Sequence, residues 1–171
     1  MSKYNSINAF LSELFKNENI NEFSEKYEIS KKNLTGWLTG ATTPNEESLF
    51  NLAEIFRLPY NFFIGLTDTY YTLLAEKRIE KGYTINELSK RTGIDSKSLR
   101  DYESHFTFPN QERKGRIIKE LECPSIIFIE SLYDSQPHRY NKLLANPHHQ
   151  RPWLIREMRK FEERGRKFEI N

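Results

Sequence analysis

Few residues in this chain are suited to making or breaking bonds. Cys123 is the one cysteine among 171 residues, so neither a disulfide framework nor a thiolate zinc cluster can be built from it. His105, His138, His148 and His149 share no metal-ligand spacing with a cysteine or carboxylate cluster and read as loop residues. No nucleophile, general-base pair or phosphate-cradling glycine loop rises above chance. The chain therefore reads as no enzyme, with no cofactor and no metal. What it does concentrate is hydrogen-bonding capacity and positive charge in two short stretches. One holds Lys31, Lys32, Asn33, Thr35, Gly36 and Thr39, the other Ser96, Lys97, Ser98, Arg100 and Asp101. An ammonium group can reach anionic oxygens, the Asn33 amide both donates and accepts, and the Arg100 guanidinium offers a planar fork. Taken alone, Lys31 with Lys32 is an ordinary solvated helix start.

The elements that would position these residues are short helices. In YTINELSKRTGIDSKSLRDYE, residues 83–103, Thr84 can cap a helix carrying Leu88, with Ser89 as the small residue where a second helix comes close. Gly93 stands where the backbone needs a positive φ, and Ile94 plugs the turn. Asp95 can cap a second helix whose buried face is Leu99 and Tyr102, which leaves Ser96, Lys97, Ser98, Arg100 and Asp101 outward. That is the grammar of a helix-turn-helix. The same grammar occurs earlier in NINEFSEKYEISKKNLTGWLTG, where Asn19, Phe23, Ser24, Ile29, Leu34 and Trp37 each lie 65 residues before their counterparts. The prolines that follow, Pro44 and Pro109, keep the same spacing, which indicates two copies of one module.

Both copies resemble the lambda-repressor-like family, also called the XRE or Cro/C1 type. The resemblance implies an all-α fold of two tandem helix-turn-helix modules, residues 1–66 and 67–134, followed by a basic helical tail, 135–171. It implies that helices 30–38 and 95–103 enter the major groove of DNA, so that Lys31, Lys32, Asn33, Thr35 and Gly36, with Thr39 at the loop, and Ser96, Lys97, Ser98, Arg100 and Asp101 face bases and phosphates. Lysine then suits phosphate oxygens or a guanine edge, asparagine a base edge, and Arg100 a bidentate guanine contact. Gly36 would allow close approach to the groove. The chain departs from the family at Glu28, where glycine is usual and a strained or different turn is expected. It departs again at Ile20 and Asn21, where a backbone-clamping glutamine is common, and at Phe106 and Phe108, which replace lysine or arginine and read as a packing patch.

The remaining segments fit around these copies. Ile7, Phe10, Leu11 and Leu14 form a first-helix face, and Leu49, Leu52, Ala53 and Phe56 a later one. Ile64 to Tyr70 reads as a short linker. CPSIIFIESL, residues 123–132, fits a short helix or a strand by periodicity, and the family places a helix there. From Ser135 a polar stretch with prolines and histidines leads to one amphipathic helix, Trp153 to Lys167, whose stripe of Leu154, Met158 and Phe161 must bury against this chain or another.

Charge is unevenly spread. Residues 1–70 carry 6 Lys+Arg against 9 Asp+Glu, residues 71–134 carry 11 against 11, and residues 135–171 carry 9 against 4, giving −3, 0 and +5. Counterion release favours basic DNA-binding surfaces, so Arg156, Arg159, Lys160, Arg164, Arg166 and Lys167 of the tail become candidate phosphate contacts. The leading expectation is a sequence-specific double-stranded DNA-binding transcriptional regulator, a repressor of bacterial or phage origin, cytoplasmic and without membrane segments, in which dimerisation would add reading heads. The alternative is a protein-binding helix-turn-helix protein such as an antitoxin or phage-encoded inhibitor, with the second module or the tail holding the partner.

Overall fold

Polar caps set the helix starts. Asn19 Oδ1 accepts from the Asn21 N–H at 2.8 Å, Ser30 Oγ from Asn33 at 3.1 Å and Asn45 Oδ1 from Ser48 at 2.9 Å. Thr84, Asp95 and Asn110 repeat the arrangement on Glu87, Ser98 and Arg113. Each such cap satisfies a backbone donor the helix cannot use itself and contributes about 1 kcal/mol.

The computed structural model describes residues 4–67 and 69–165, and among these the chain is all-α, with twelve α-helices, one 3₁₀ turn and no strand. It divides into two compact units, Met1–Tyr70 and Tyr71–Asn171. The first contains α1 (Ile7–Leu14), α2 (Ile20–Tyr27), α3 (Lys31–Thr39), α4 (Glu46–Phe56) and α5 (Tyr60–Ile64). The second contains α6 (Leu73–Glu80), α7 (Ile85–Thr92), α8 (Ser96–Glu103), α9 (Gln111–Leu121), α10 (Ile127–Ser135), α11 (Pro137–Ala145), a 3₁₀ turn at Pro147–His149, and α12 (Pro152–Glu163).

Helices α2, α3 and α4 start at residues 20, 31 and 46, and α7, α8 and α9 start 65 residues later at 85, 96 and 111. The left-handed residues that end α2 and α4 keep the same offset: Glu28 with φ 55° answers Gly93 with φ 68°, and Arg57 answers Glu122. Glu28 therefore makes the same turn that glycine makes in the second unit, in a conformation that crowds a Cβ. The Ser24 hydroxyl braces it by donating to the Ile29 carbonyl at 2.6 Å.

The first core is aromatic. The Phe10 ring meets Phe56, Phe62 and Phe63 edge-on with centroids 5.4–5.9 Å apart, and Phe23 meets Phe15 at 4.8 Å. Edge-to-face pairs of this kind add about 0.5–1.5 kcal/mol each beyond area burial. The stretch expected to be a linker contributes to this core, because Leu66 is buried and its carbonyl accepts from the Ile7 N–H at 3.0 Å. Asp68, expected within the linker, lies outside the described residues.

In the second unit the 123–132 segment is helical from Ile127 onward, and its Ile127, Phe128, Ile129 and Leu132 are buried. The tail stripe packs into this same core: Trp153, Leu154, Met158 and Phe161 cluster with Leu88, Leu99 and Phe128. The tail holds two α-helices where one was expected. α11 forms inside the polar stretch, with Pro137 in its first turn and Tyr140 wholly buried.

Arg78, in what reads as a charged surface helix, is 1% exposed. Its Nε and Nη2 donate to the two carboxylate oxygens of Glu103 at 2.6 and 3.1 Å, and Nη1 donates to the Tyr83 carbonyl at 2.7 Å. Removing one partner leaves a buried charge uncompensated. Arg78→Met should therefore destabilise the second unit by about 3–5 kcal/mol in urea unfolding, and Arg78→Met with Glu103→Leu by clearly less. Swapping the turn residues gives opposite signs. Glu28→Gly should raise the urea-unfolding free energy of the first unit by up to about 1 kcal/mol, and Gly93→Glu should lower that of the second by about 1–2 kcal/mol.

Candidate nucleic-acid interface

Each candidate stretch is fixed by two buried anchors one helical turn apart. In α3 these are Leu34 and Trp37, in α8 Leu99 and Tyr102. With those rows turned inward, Lys31, Lys32, Asn33, Thr35 and Thr39 are exposed and Gly36 is half-buried. In α8, Lys97 and Arg100 are exposed, and Ser96, Ser98 and Asp101 are half-buried. Neither outward face is packed away within its own unit.

Availability differs from residue to residue. Among the described residues nothing hydrogen-bonds or ion-pairs with the side chains of Lys31, Lys32 or Arg100. Lys97 is held by Asp101 at 2.9 Å, a hydrogen bond that raises the lysine pKa. Ser96 Oγ donates to Asn86 Oδ1 at 3.0 Å, which bridges α8 back to α7. Asp95 accepts from both the N–H and the hydroxyl of Ser98, and these bonds hold its carboxyl below the usual range. The Thr39 hydroxyl turns back to the Thr35 carbonyl at 2.9 Å, with the Gly36 carbonyl at 3.3 Å.

Gly36 has an internal use. A Cβ there would meet Thr42 Oγ1 at 2.4 Å, and the Thr42 N–H donates to the Gly36 carbonyl at 3.2 Å, so the loop after α3 closes over the glycine.

The end of α8 is clasped by the C-terminal helices. Gln136 Nε2 donates to the Ser104 carbonyl at 2.8 Å and Arg139 Nη2 to the Phe106 carbonyl at 3.0 Å. Arg113 Nη1 donates to the Tyr102 hydroxyl at 2.9 Å from the side of α9. The two phenylalanines expected as one packing patch separate: Phe108 is buried under Arg139, with the guanidinium 5.6 Å from its ring, whereas Phe106 is 70% exposed. The carbonyls that catch Gln136 and Arg139 leave no trace in side-chain pattern, so this clasp has no sequence signal.

His105, a loop residue as expected, is wholly buried with a left-handed backbone, φ 58°. Its Nε2 lies 2.8 Å from Ser131 Oγ, which also accepts from the Leu74 N–H at 3.1 Å. Nδ1 has no hydrogen-bond partner among the described residues. Burial, with a smaller contribution from Arg139, lowers the His105 pKa to about 4. The imidazole is therefore neutral and part of the scaffold.

In the tail, Arg156, Arg159, Lys160 and Arg164 are exposed, while Arg166 and Lys167 lie outside the described residues. Among the described residues no group of His, Cys, Asp and Glu is placed to hold a metal ion, and no helix is long and apolar enough to cross a membrane.

No known protein family, curated protein or solved structure matches the chain.

Because His105 takes up a proton more readily when unfolded than when folded, its contribution to stability is complete above pH 6.5 and is lost as pH falls toward 4. The loss amounts to about 3 kcal/mol across that interval. Thermal denaturation of His105→Asn, which tolerates the left-handed backbone and does not titrate, should show lower stability at pH 7 and a flatter profile between pH 6.5 and 5 than the parent protein.

Proposed function

We propose that α2–α3 and α7–α8 are the cores of two lambda-repressor-like helix-turn-helix modules, and that the protein is a sequence-specific double-stranded DNA-binding transcriptional regulator, a repressor, that places α3 and α8 in major grooves. One observation carries the reading. Caps, left-handed turns and buried anchors recur at one offset, and each copy turns outward cations that nothing among the described residues neutralises: Lys31 and Lys32 in one, Arg100 in the other.

Chemistry divides the work between the two helices. Arg100 suits the O6 and N7 acceptors of guanine, while Lys31 and Lys32 suit phosphates and Asn33 a base edge. The two faces are not copies of each other, so the two half-sites differ in sequence and a single chain reads an asymmetric site, with half-site centres about 34 Å apart or a multiple of that.

A second reading is favoured by a groove of about 270 Å³ in the first unit, where Phe15, Phe23, Tyr27 and Phe56 line a recess whose charged lining is Glu18, Glu22 and Lys26. At the corresponding place in the second unit Arg91 lies over the Tyr83 ring and reaches Glu87 and Glu120. An open aromatic recess on a unit of net charge −3 suits a protein partner, as in an antitoxin or inhibitor.

Selection from a random duplex pool separates the readings, since paired motifs support two reading helices and no enrichment favours the protein partner. On the selected sequence, Arg100→Ala should cost about 1–3 kcal/mol and relax the preference at one base pair. Lys31→Ala and Lys32→Ala should each weaken binding to all sequences and make the salt dependence shallower by about one ion. Unaltered affinity in all three variants would sink the DNA reading.

A further inference from the structure

α12 carries more positive charge than its packing needs. Its inward stripe of Trp153, Leu154, Ile155, Met158 and Phe161 is buried, and Arg156, Arg159 and Lys160 project from the opposite side. The turn at Pro147–His149 runs alongside, so that helix and turn enclose an open groove of about 670 Å³ whose polar lining is His148, Gln150, Arg156, Arg159, Lys160 and Glu163. Positions three and four apart on a helix are neighbours, so Arg156 faces both Arg159 and Lys160, an arrangement that like-charge repulsion disfavours. Glu157 offsets part of this charge by pairing with Lys160 at 3.4 Å.

Lys114 of α9 adds to the excess. It is 6% exposed, its ammonium sits 4.7 Å from the centre of the Trp153 ring, and no carboxylate among the described residues pairs with it. Burial lowers its pKa, Glu157 acts the other way, and the nearby Arg156 and Lys160 lower it further. Arg156, Arg159 and Lys160 thus crowd one stretch of α12, with Lys114 of α9 close enough to feel two of them.

We propose that this groove binds the phosphodiester backbone of duplex DNA, anchoring the segment that flanks the bases read by α8, the reading helix of its own unit; the proposal rests on the DNA reading above. The exposed cations continue past the groove to Arg164, so that from Arg156 they run along about two turns of helix, which suits a polyanion chain better than a single small anion. A membrane surface is a poor occupant, because the apolar face that such a helix would insert is already buried in the core.

The test uses the full chain and a fluorescent duplex carrying the selected sequence, titrated from roughly 50 to 200 mM salt. Arg156→Gln, Arg159→Gln and Lys160→Gln combined should make the slope of log K against log salt shallower by about 2–3. The loss should be equal on specific and scrambled duplexes, with the bases enriched in selection unchanged. Glu163→Gln, which removes the groove's carboxylate, should tighten binding to both duplexes, and this arm stands even if the triple variant misfolds. A parent protein that binds DNA while both variants keep its affinity and salt slope overturns this inference and leaves the DNA reading intact. A parent protein that binds no duplex overturns both.

Discussion

The second unit depends on an arginine that water scarcely reaches. The Arg78 guanidinium spans three segments at once, with two of its N–H groups on the Glu103 carboxylate at the end of α8 and a third on the backbone just before α7. Thr72 fastens the same point by donating to the Glu103 carbonyl at 2.8 Å. A buried ion pair adds little net stability because desolvation offsets attraction, yet it tolerates few alternative arrangements. The result is directional: α6 can approach α8 only where fork and carboxylate meet, and that fixes which rows of α8 face inward.

Arg113, Gln136 and Arg139 add to this control at the same C-terminal end of α8. Helices α10 to α12 therefore form part of the frame that supports α8. Phe108 and His105 stack with centroids 6.0 Å apart beneath this frame, and the neutral imidazole fills space that a charged one could not.

Much of this was legible in the sequence. Caps are short-range chemistry, so Asn19, Thr84 and Asp95 announce their helices without tertiary information, and Leu34, Trp37, Leu99 and Tyr102 announce which faces turn inward. The illegible parts are those decided by distant partners. Arg78 reads as a surface charge until Glu103, 25 residues away, is brought beside it. α11 hides because its polar composition and flanking prolines resemble a connector, while Tyr140 finds its partner in Glu162 at 2.7 Å. Gly36 could be read as an opening toward a ligand, and only the folded loop shows Thr42 lying over it. Of the candidate interface, exposure followed from periodicity; which cations are paired depended on side-chain geometry that a one-dimensional pattern does not hold.

The two units meet one geometric requirement by different means. Where the second uses Arg78 and Glu103, the first has Ser12 and Leu38 at the corresponding positions, joined through the Ser12 hydroxyl and the Leu38 carbonyl at 3.5 Å. The connection between α1 and α2 is also one residue longer than that between α6 and α7. A hybrid that set α1 against α8 would leave the Glu103 carboxylate without its arginine, and the reverse hybrid would set Arg78 against Leu38, which offers it no carboxylate. The halves are thus mutually incompatible in their parts, which guards the chain against pairing its own segments wrongly while it folds.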